Sequence, residues 1–335
     1  MRAANAGVRG RRWRLAAALS LAPLLLFLFL TAGYSNGQAP EVRPRDGDGS
    51  SSSIENTVVI PSYHEAPNIA PLVTRIFAAV NSPAHTEVII VDDNSRDGTV
   101  EAVEQLRGEG YNVVLVVRTD ASGLSSAVLR GFKEARGNKF VVMDADLQHP
   151  PESVPLFFQA LSERTPFAMG TRYGPGGGVD KDWPMYRRLM SAVARSLARP
   201  LTSASDPMSG FFGLTRELYA QSAPVNPVGF KIALELLLKT HISRSPSHSL
   251  AEIPYSFTKR TLGASKLSNK IIFRYLFHLA ALYRWRLGFL GVVVMEVALV
   301  GACWVALWGL EKASAWWKRR RRAELRRREK FKLDV

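Results

Sequence analysis

The chain has 335 residues, 47% of them apolar and 22% charged, with a formal net charge of +15. This composition excludes a disordered chain, a collagen and a small disulfide scaffold, and the single cysteine, Cys303, excludes an intramolecular disulfide. The charge sits at the ends: residues 1–14 carry five arginines and no acid, and residues 311–335 carry 11 basic and 4 acidic residues. Basic blocks beside apolar runs suit membrane flanks, so a membrane is expected as a partner and nucleic acid is not.

In chain order, residues 1–14 form a basic N-terminus. Residues 15–33 carry no charge and are long enough to cross a bilayer, either as a retained anchor or as the apolar part of a signal peptide. Residues 34–54, rich in Gly, Pro, Ser and charge, predict a flexible linker. A globular domain is expected over 55–268. Apolar, β-branched runs at 57–60, 87–91, 112–117 and 139–143 alternate there with helix-like stretches at 70–80, 100–106 and 124–135. That alternation predicts βαβ units and an α/β domain with a mainly parallel sheet.

Residues 184–201 predict an amphipathic helix, with Tyr186, Leu189, Met190, Val193, Leu197 and Leu201 at helical spacing and arginines on other faces. It reads either as a membrane-interface helix or as a helix packed on the sheet. Arg187 and Ser191 are four apart, share a face and could hold one anionic group. Residues 253–257 look strand-like. Residues 269–286 predict an interface helix and 287–310 a C-terminal transmembrane helix of about 36 Å, followed by a basic tail over 311–335. Glu296 inside the apolar run is a candidate contact for a partner subunit.

Ligands of parallel sheets bind at the carboxyl ends of the strands. The first strand run leads into Pro61-Ser62-Tyr63-His64-Glu65, the second into Val91-Asp92-Asp93-Asn94-Ser95, and the fourth into Met143-Asp144-Ala145-Asp146-Leu147-Gln148-His149. Each piece alone reads as a turn or helix cap. Three acidic strand ends in one sheet converge on a crevice, where carboxylates repel unless a cation joins them. Oxygen ligands of this kind suit Mg²⁺ or Mn²⁺ bridging to substrate phosphates. Neither GxxxxGK[ST] nor GxGxxG occurs, and the glycine-rich stretch 174–178 reads as a flexible lid or loop. Side-chain cations must then help to hold the phosphates. Candidates are Arg172, Arg260 and Lys266, the last two in a segment that taken alone reads as a solvated basic loop.

Together, these motifs resemble the dolichol-phosphate mannosyltransferases, family 2 glycosyltransferases of GT-A fold, in the single-chain form with a C-terminal membrane anchor. The resemblance runs from Val58 to about Phe273. Its motifs are 61–65, VDDNSRDGT at 91–99, GLSSAVLRGF at 123–132, MDADLQHPPE at 143–152, GTRY at 170–173, DKDWPMYRR at 180–188, SDPMSGFFGL at 205–214, GFKIALELL at 229–237 and GASKLS at 263–268. It implies transfer of mannose from GDP-mannose to dolichyl phosphate, with inversion. By similarity, Pro61, Tyr63, Glu65, Val91 and Asp93 bind the guanosine side of the donor, and Asp144 and Ala145 contact the donor. Asp146 and Gln148 hold the metal, Arg172, Arg260 and Lys266 neutralise donor phosphates, and Arg187 and Ser191 hold the acceptor phosphate. Asp144, Asp146 and Arg172 form the catalytic set.

No general base is assigned, because the acceptor phosphate is already ionised; His64 and His149 are expected as hydrogen-bonding residues. Alternatives are a polyprenyl-phosphate glycosyltransferase with another donor such as UDP-glucose, and a catalytically silent membrane-anchored binding protein. The basic flanks at both ends each favour the cytosol, which with two full crossings would put the domain in the lumen; the implied donor, GDP-mannose, is cytosolic, so one end is expected to be inverted or to lie in the interface without crossing. The expected location is the endoplasmic reticulum membrane, with the catalytic domain facing the cytosol.

Overall fold

The computed structural model describes residues 37–42, 54–120, 122–179, 185–226, 229–242, 247–257, 274–288 and 291. The expectations for 1–33, for Arg260 and Lys266, for Glu296 and for the basic tail lie outside the described residues, as does most of 287–310. Among the described residues no helix is long and apolar enough to cross a membrane. The chain divides into two units, Tyr34–Leu282 and Met1–Gly33 with Tyr283–Val335; the first holds the whole sheet.

The predicted alternation is present as β1 (Asn56–Ser62), α1 (Ala66–Ala79), β2 (Thr86–Asp92), α2 (Thr99–Gly108), β3 (Val113–Val117), α3 (Leu124–Glu134) and β4 (Lys139–Val142). The chain continues through α4 (Val154–Ala160), β5 (Phe167–Thr171), β6 (Gly178–Val179), α5 (Met185–Ala198), β7 (Phe212–Thr215), α6 (Arg216–Ala220), α7 (Ile232–Lys239), β8 (Leu250–Pro254) and β9 (Ser256–Phe257). The main sheet has the order β3-β2-β1-β4-β7-β5-β8. β1 runs parallel to β2 and β4, and β5 parallel to β8, while β7 is antiparallel to both of its neighbours. The sheet is therefore mainly parallel with one reversed strand inside it.

Side-chain alternation explains the layers. Val58, Ile60, Val88 and Ile90 face a core with Ile69, Leu72, Val73 and Ile76 of α1 and Val103 and Leu106 of α2. Val59, Ile89 and Val91 face a second core with Val128 and Phe132 of α3 and Ile232, Leu236 and Leu237 of α7. Covered on both faces, β1 and β2 need the near-continuous apolar runs seen in the sequence. Gly131 lets α3 settle closely on β1, since a Cβ there would lie 2.3 Å from Val59 Cγ1. After β3 the chain returns to the other side of β1, so the strand order reverses between β1 and β4. That reversal opens a crevice at their carboxyl ends.

Two expectations are corrected. Part of the predicted flexible linker is docked: Gln38 N donates to Val225 O at 2.7 Å, Val225 N donates to Gln38 O at 2.8 Å, and Glu41 pairs with Lys133 at 2.6 Å. Residues 37–42 thus complete the backbone hydrogen bonds of Val225, a partnership that local composition does not encode. The glycine-rich stretch is partly ordered too, for Gly178 and Val179 pair in parallel with Ser256 and Phe257.

The predicted amphipathic helix is present as α5, and the version in which its apolar side packs on the sheet is corrected. Met185 is 86% exposed, and Leu189, Met190, Val193 and Leu197 are exposed as well. A further helix occupies 274–288. Within the first unit, Tyr275 Oη donates to Ala194 O at 2.7 Å and His278 Nε2 lies 2.9 Å from Glu235 Oε2, while Leu276 and Phe277 remain exposed.

Candidate active site

The β1 and β2 ends lie side by side, with Pro61 opposite Val91 and Ser62 opposite Asp92. Asp92 is buried and makes a turn, accepting from Ser95 N at 2.8 Å and Ser95 Oγ at 2.5 Å. Ser95 Oγ in turn accepts from His64 N at 2.8 Å, which locks the two strand ends together. Tyr63 is exposed beside this lock. Glu65 is buried and accepts from Asn68 Nδ2 at 2.8 Å, so one of its oxygens is engaged at the start of α1.

Asp93 was expected on the donor, and its carboxylate has work inside the protein. Oδ1 is paired with the Arg118 guanidinium, accepting from Nε at 2.8 Å, and Oδ2 accepts from Gly123 N at 2.7 Å. Arg118 is buried and also donates to Ser126 Oγ at 2.8 Å and Gly123 O at 3.0 Å. This network fixes the loop between β3 and α3.

β4 continues into the acidic turn beside β1, where Met143 N donates to Val59 O at 3.2 Å. Asp146 and Gln148 are both buried, and Asp146 Oδ1 accepts from Gln148 N at 3.1 Å. Leu147 between them has φ +60°, a left-handed conformation that turns the chain so that both flanking side chains stay on one turn. The Asp144 side chain is 35% exposed, and its backbone N–H donates to His149 Nδ1 at 3.1 Å. The His149 ring is buried and stacked on Phe211, with centroids 5.0 Å apart. Burial pushes His149 below the ordinary histidine range although Asp144 and Asp146 favour its charged form. The neutral ring accepts at Nδ1 and carries its proton on Nε2, which makes it a backbone support of the acidic turn.

Arg172 follows β5. Its Nε donates to Asp206 Oδ2 at 2.7 Å and its Nη2 to Asp206 Oδ1 at 2.9 Å, a two-pronged pair with Asp206 fully buried. Burial opposes the charge, but the hydrogen bonds and charge of Asp206 hold the guanidinium protonated, well above the usual arginine range. The expected phosphate cation Arg172 is thus paired with Asp206, a partner that its motif does not announce.

Lys231, just before α7, joins the same cluster. Its Nζ donates to Met208 O at 2.6 Å. Burial and Arg172 push its ammonium down to about 8, against the pull of Asp144 and Asp206. On the α5 side, Tyr173 Oη lies 3.2 Å from Ser191 Oγ, and the Arg195 guanidinium sits 4.0 Å from the Tyr173 ring centroid. Arg187 is on α5, but its side chain lies outside the described part.

The acidic turn fits a hard divalent cation. Its donors are a carboxylate and an amide oxygen, and among the described residues no group of three or more His, Cys, Asp or Glu forms a full protein cage. Mg²⁺ and Mn²⁺ take such partial sets and fill their other positions with water and substrate phosphates.

Comparison with known proteins decides the family. Residues 57–222 match the family described as Glycosyl transferase family 2. The chain is 55% identical over 240 residues to a dolichol-phosphate mannosyltransferase of Saccharomyces cerevisiae, covering 70% of this chain and 90% of the relative. The chain belongs to the dolichol-phosphate mannosyltransferase family. A dolichol-phosphate mannosyltransferase of Mycosarcoma maydis is 52% identical over 260 residues, covering 76% of this chain and 87% of the relative. That of Pyrococcus furiosus is 43% identical over 233 residues, covering 68% of this chain and 64% of the relative. Among solved structures, a mannosyltransferase from Pyrobaculum calidifontis in complex with GDP-Man and Mn²⁺ aligns with a TM-score of 0.47 at 18% identity, over 90% of this chain and 91% of that one.

In this dolichol-phosphate mannosyltransferase family member, sequence reasoning missed Arg118, Asp206 and Lys231. Their partners lie 25, 34 and 23 positions away in the chain, so no local spacing announces them. Asp206 and Lys231 lie in two visible motifs, SDPMSGFFGL and GFKIALELL, and for Lys231 a cation inside an apolar run was the available signal. Arg118→Met is expected to leave the largely buried Asp93 carboxylate without its counter-ion and to cost about 3 kcal/mol. Urea unfolding of the variant checks this, together with the double variant Arg118→Met/Asp93→Asn, which should recover part of the loss.

Proposed function

We propose that this chain transfers mannose from GDP-mannose to dolichyl phosphate with inversion, releasing GDP and dolichyl β-D-mannosyl phosphate. The observation that carries it is the Asp144-Ala145-Asp146-Leu147-Gln148 turn at the switch between β1 and β4, in a chain 55% identical to a dolichol-phosphate mannosyltransferase. An oxygen of the acceptor phosphate attacks the anomeric carbon. The bond from that carbon to the GDP oxygen breaks, and the β-phosphate leaves with the electron pair. The nucleophile is already an anion, so no side chain has to remove a proton.

The work of the protein is therefore positioning and charge. Pro61, Tyr63, Glu65, Val91 and Asp93 line the nucleoside end, with exposed Tyr63 suited to stack on the base. Asp144 and Ala145 face the sugar diphosphate. Mg²⁺ or Mn²⁺ held by Asp146 and Gln148 would supply Lewis-acid stabilisation of the departing diphosphate. Arg260 and Lys266 add charge on the donor side. Ser191, with Arg187 four residues before it on α5, meets the acceptor phosphate.

The acceptor is a lipid. The exposed apolar residues Met185, Leu189, Met190 and Val193 of α5, with Leu276 and Phe277, suit seating in a membrane interface beside the site. The reading places the domain on the cytosolic side of the endoplasmic reticulum membrane, where the nucleotide sugar is available.

Purified full-length chain with labelled GDP-mannose, dolichyl phosphate and Mn²⁺ is expected to form a mannolipid. A parallel panel of UDP-sugars should give little product. A preference for a UDP-sugar, or no glycolipid from any donor, would refute the assignment.

A further inference from the structure

Residues 206–210 form a short floor under the site. Asp206 clamps Arg172, Met208 O accepts from Lys231, Ser209 Oγ lies 3.2 Å from Tyr255 Oη, and a Cβ on Gly210 would lie 3.6 Å from both carboxylate oxygens of Asp144. One segment thus holds a guanidinium through Asp206 and an ammonium through Met208 O, and passes close to the Asp144 carboxylate at Gly210.

The two cations differ in what surrounds them. Arg172 has its carboxylate in a two-pronged pair. Lys231 is half-buried and its Nζ lies 4.8 Å from the Phe230 ring centroid; among the described residues its Nζ bonds only to a neutral carbonyl and no carboxylate pairs with it. An ammonium has three N–H donors, so two are left for a ligand. Asp144 and Asp206 attract this charge without touching it, and holding it partly out of water with no direct ionic partner is unfavourable. The arrangement is accounted for if an anion completes it.

We propose that Lys231 Nζ binds a phosphate oxygen of a substrate and stabilises its charge during transfer. The oxygen belongs either to the diphosphate of the nucleotide sugar or to the phosphate of the lipid acceptor. This proposal rests on the transferase reading above and adds to it a cation that no local motif reveals.

Lys231→Gln separates charge from shape, because the Gln amide can still donate to Met208 O. Lys231→Arg keeps the charge. Both are compared with the wild-type full chain for thermal midpoint, for GDP affinity by calorimetry with Mn²⁺, and for kcat and the KM of dolichyl phosphate. Lys231→Gln is expected to lower kcat/KM about a hundredfold with its midpoint held, as for loss of one charged donor at a developing anion, and Lys231→Arg to recover at least about tenfold of it. Weaker GDP binding with an unchanged acceptor KM assigns the contact to the diphosphate. A raised acceptor KM with unchanged GDP affinity assigns it to the lipid phosphate. Lys231→Gln within threefold of wild type in every measurement, or equal impairment of both variants, overturns the proposal. A wild-type chain that binds GDP but makes no glycolipid refutes the transferase reading instead, and Lys231 then stands or falls on the GDP affinities alone.

Discussion

Asp146→Asn should abolish mannosyl transfer while leaving the domain folded. The amide oxygen of Asn can still accept the Gln148 N–H that Asp146 Oδ1 accepts at 3.1 Å, so the turn keeps its shape and loses only its charge. Divalent-cation stabilisation of a phosphoryl leaving group is worth several kcal/mol, so kcat/KM should fall roughly a thousandfold. Treatment of the wild-type chain with EDTA should give the same loss, reversed by added Mn²⁺. Initial rates of mannolipid formation and thermal melts of both proteins check this. A variant that keeps a tenth of wild-type activity, or a wild-type enzyme indifferent to EDTA, would remove the metal from this turn.

The second large effect concerns stability. Asp206→Ala leaves the Arg172 guanidinium largely buried with its two-pronged partner gone. Breaking a buried pair by removing one member costs about 3–5 kcal/mol, because the remaining charge is uncompensated. For a domain of this size each kcal/mol lowers the midpoint by about 2–4 °C, so a fall of about 6–20 °C is expected. The double variant Arg172→Met/Asp206→Leu removes both charges and should regain a large part of the loss. Differential scanning calorimetry of the three proteins decides the matter. If Asp206→Ala melts within 2 °C of wild type, the pair is not a structural element of the site.

The elements that could be read from the sequence were those whose neighbours are also near in sequence. β1, β2 and β3 with α1 and α2 are successive units whose apolar runs must face two covered layers, and that periodicity appears residue by residue in 57–60 and 87–91. The acidic turn at 144–148 was legible for a similar reason, since its carboxylates and amide are local to one strand end. β7 was not, because Phe212–Thr215 runs antiparallel between β4 and β5 and its place depends on strands far away in the chain. The docked segment 37–42 was hidden by composition: Gly, Gln and Pro read as linker until Val225 supplies the backbone partner.

Charge pairing was the least legible layer. Asp93 was recognisable as a polar residue at a strand end, and Arg172 as a candidate cation. That Arg118 and Asp206 neutralise them follows only from the folded geometry. The same geometry distinguishes Lys231, which no described carboxylate contacts directly although Asp144 and Asp206 attract it. His149 shows the converse: although it stands beside two aspartates, it is expected from the sequence as a hydrogen-bonding residue, and its buried, stacked ring accepts the Asp144 backbone N–H.

The most direct measurement is calorimetric titration of GDP into the purified full-length chain, with and without Mn²⁺, in wild type and in Asp146→Asn. Binding by the wild-type chain should strengthen at least tenfold when Mn²⁺ is present, and the variant should show no such gain. Equal GDP affinity with and without the metal, or an unchanged metal response in the variant, would contradict a divalent-cation site at the end of β4.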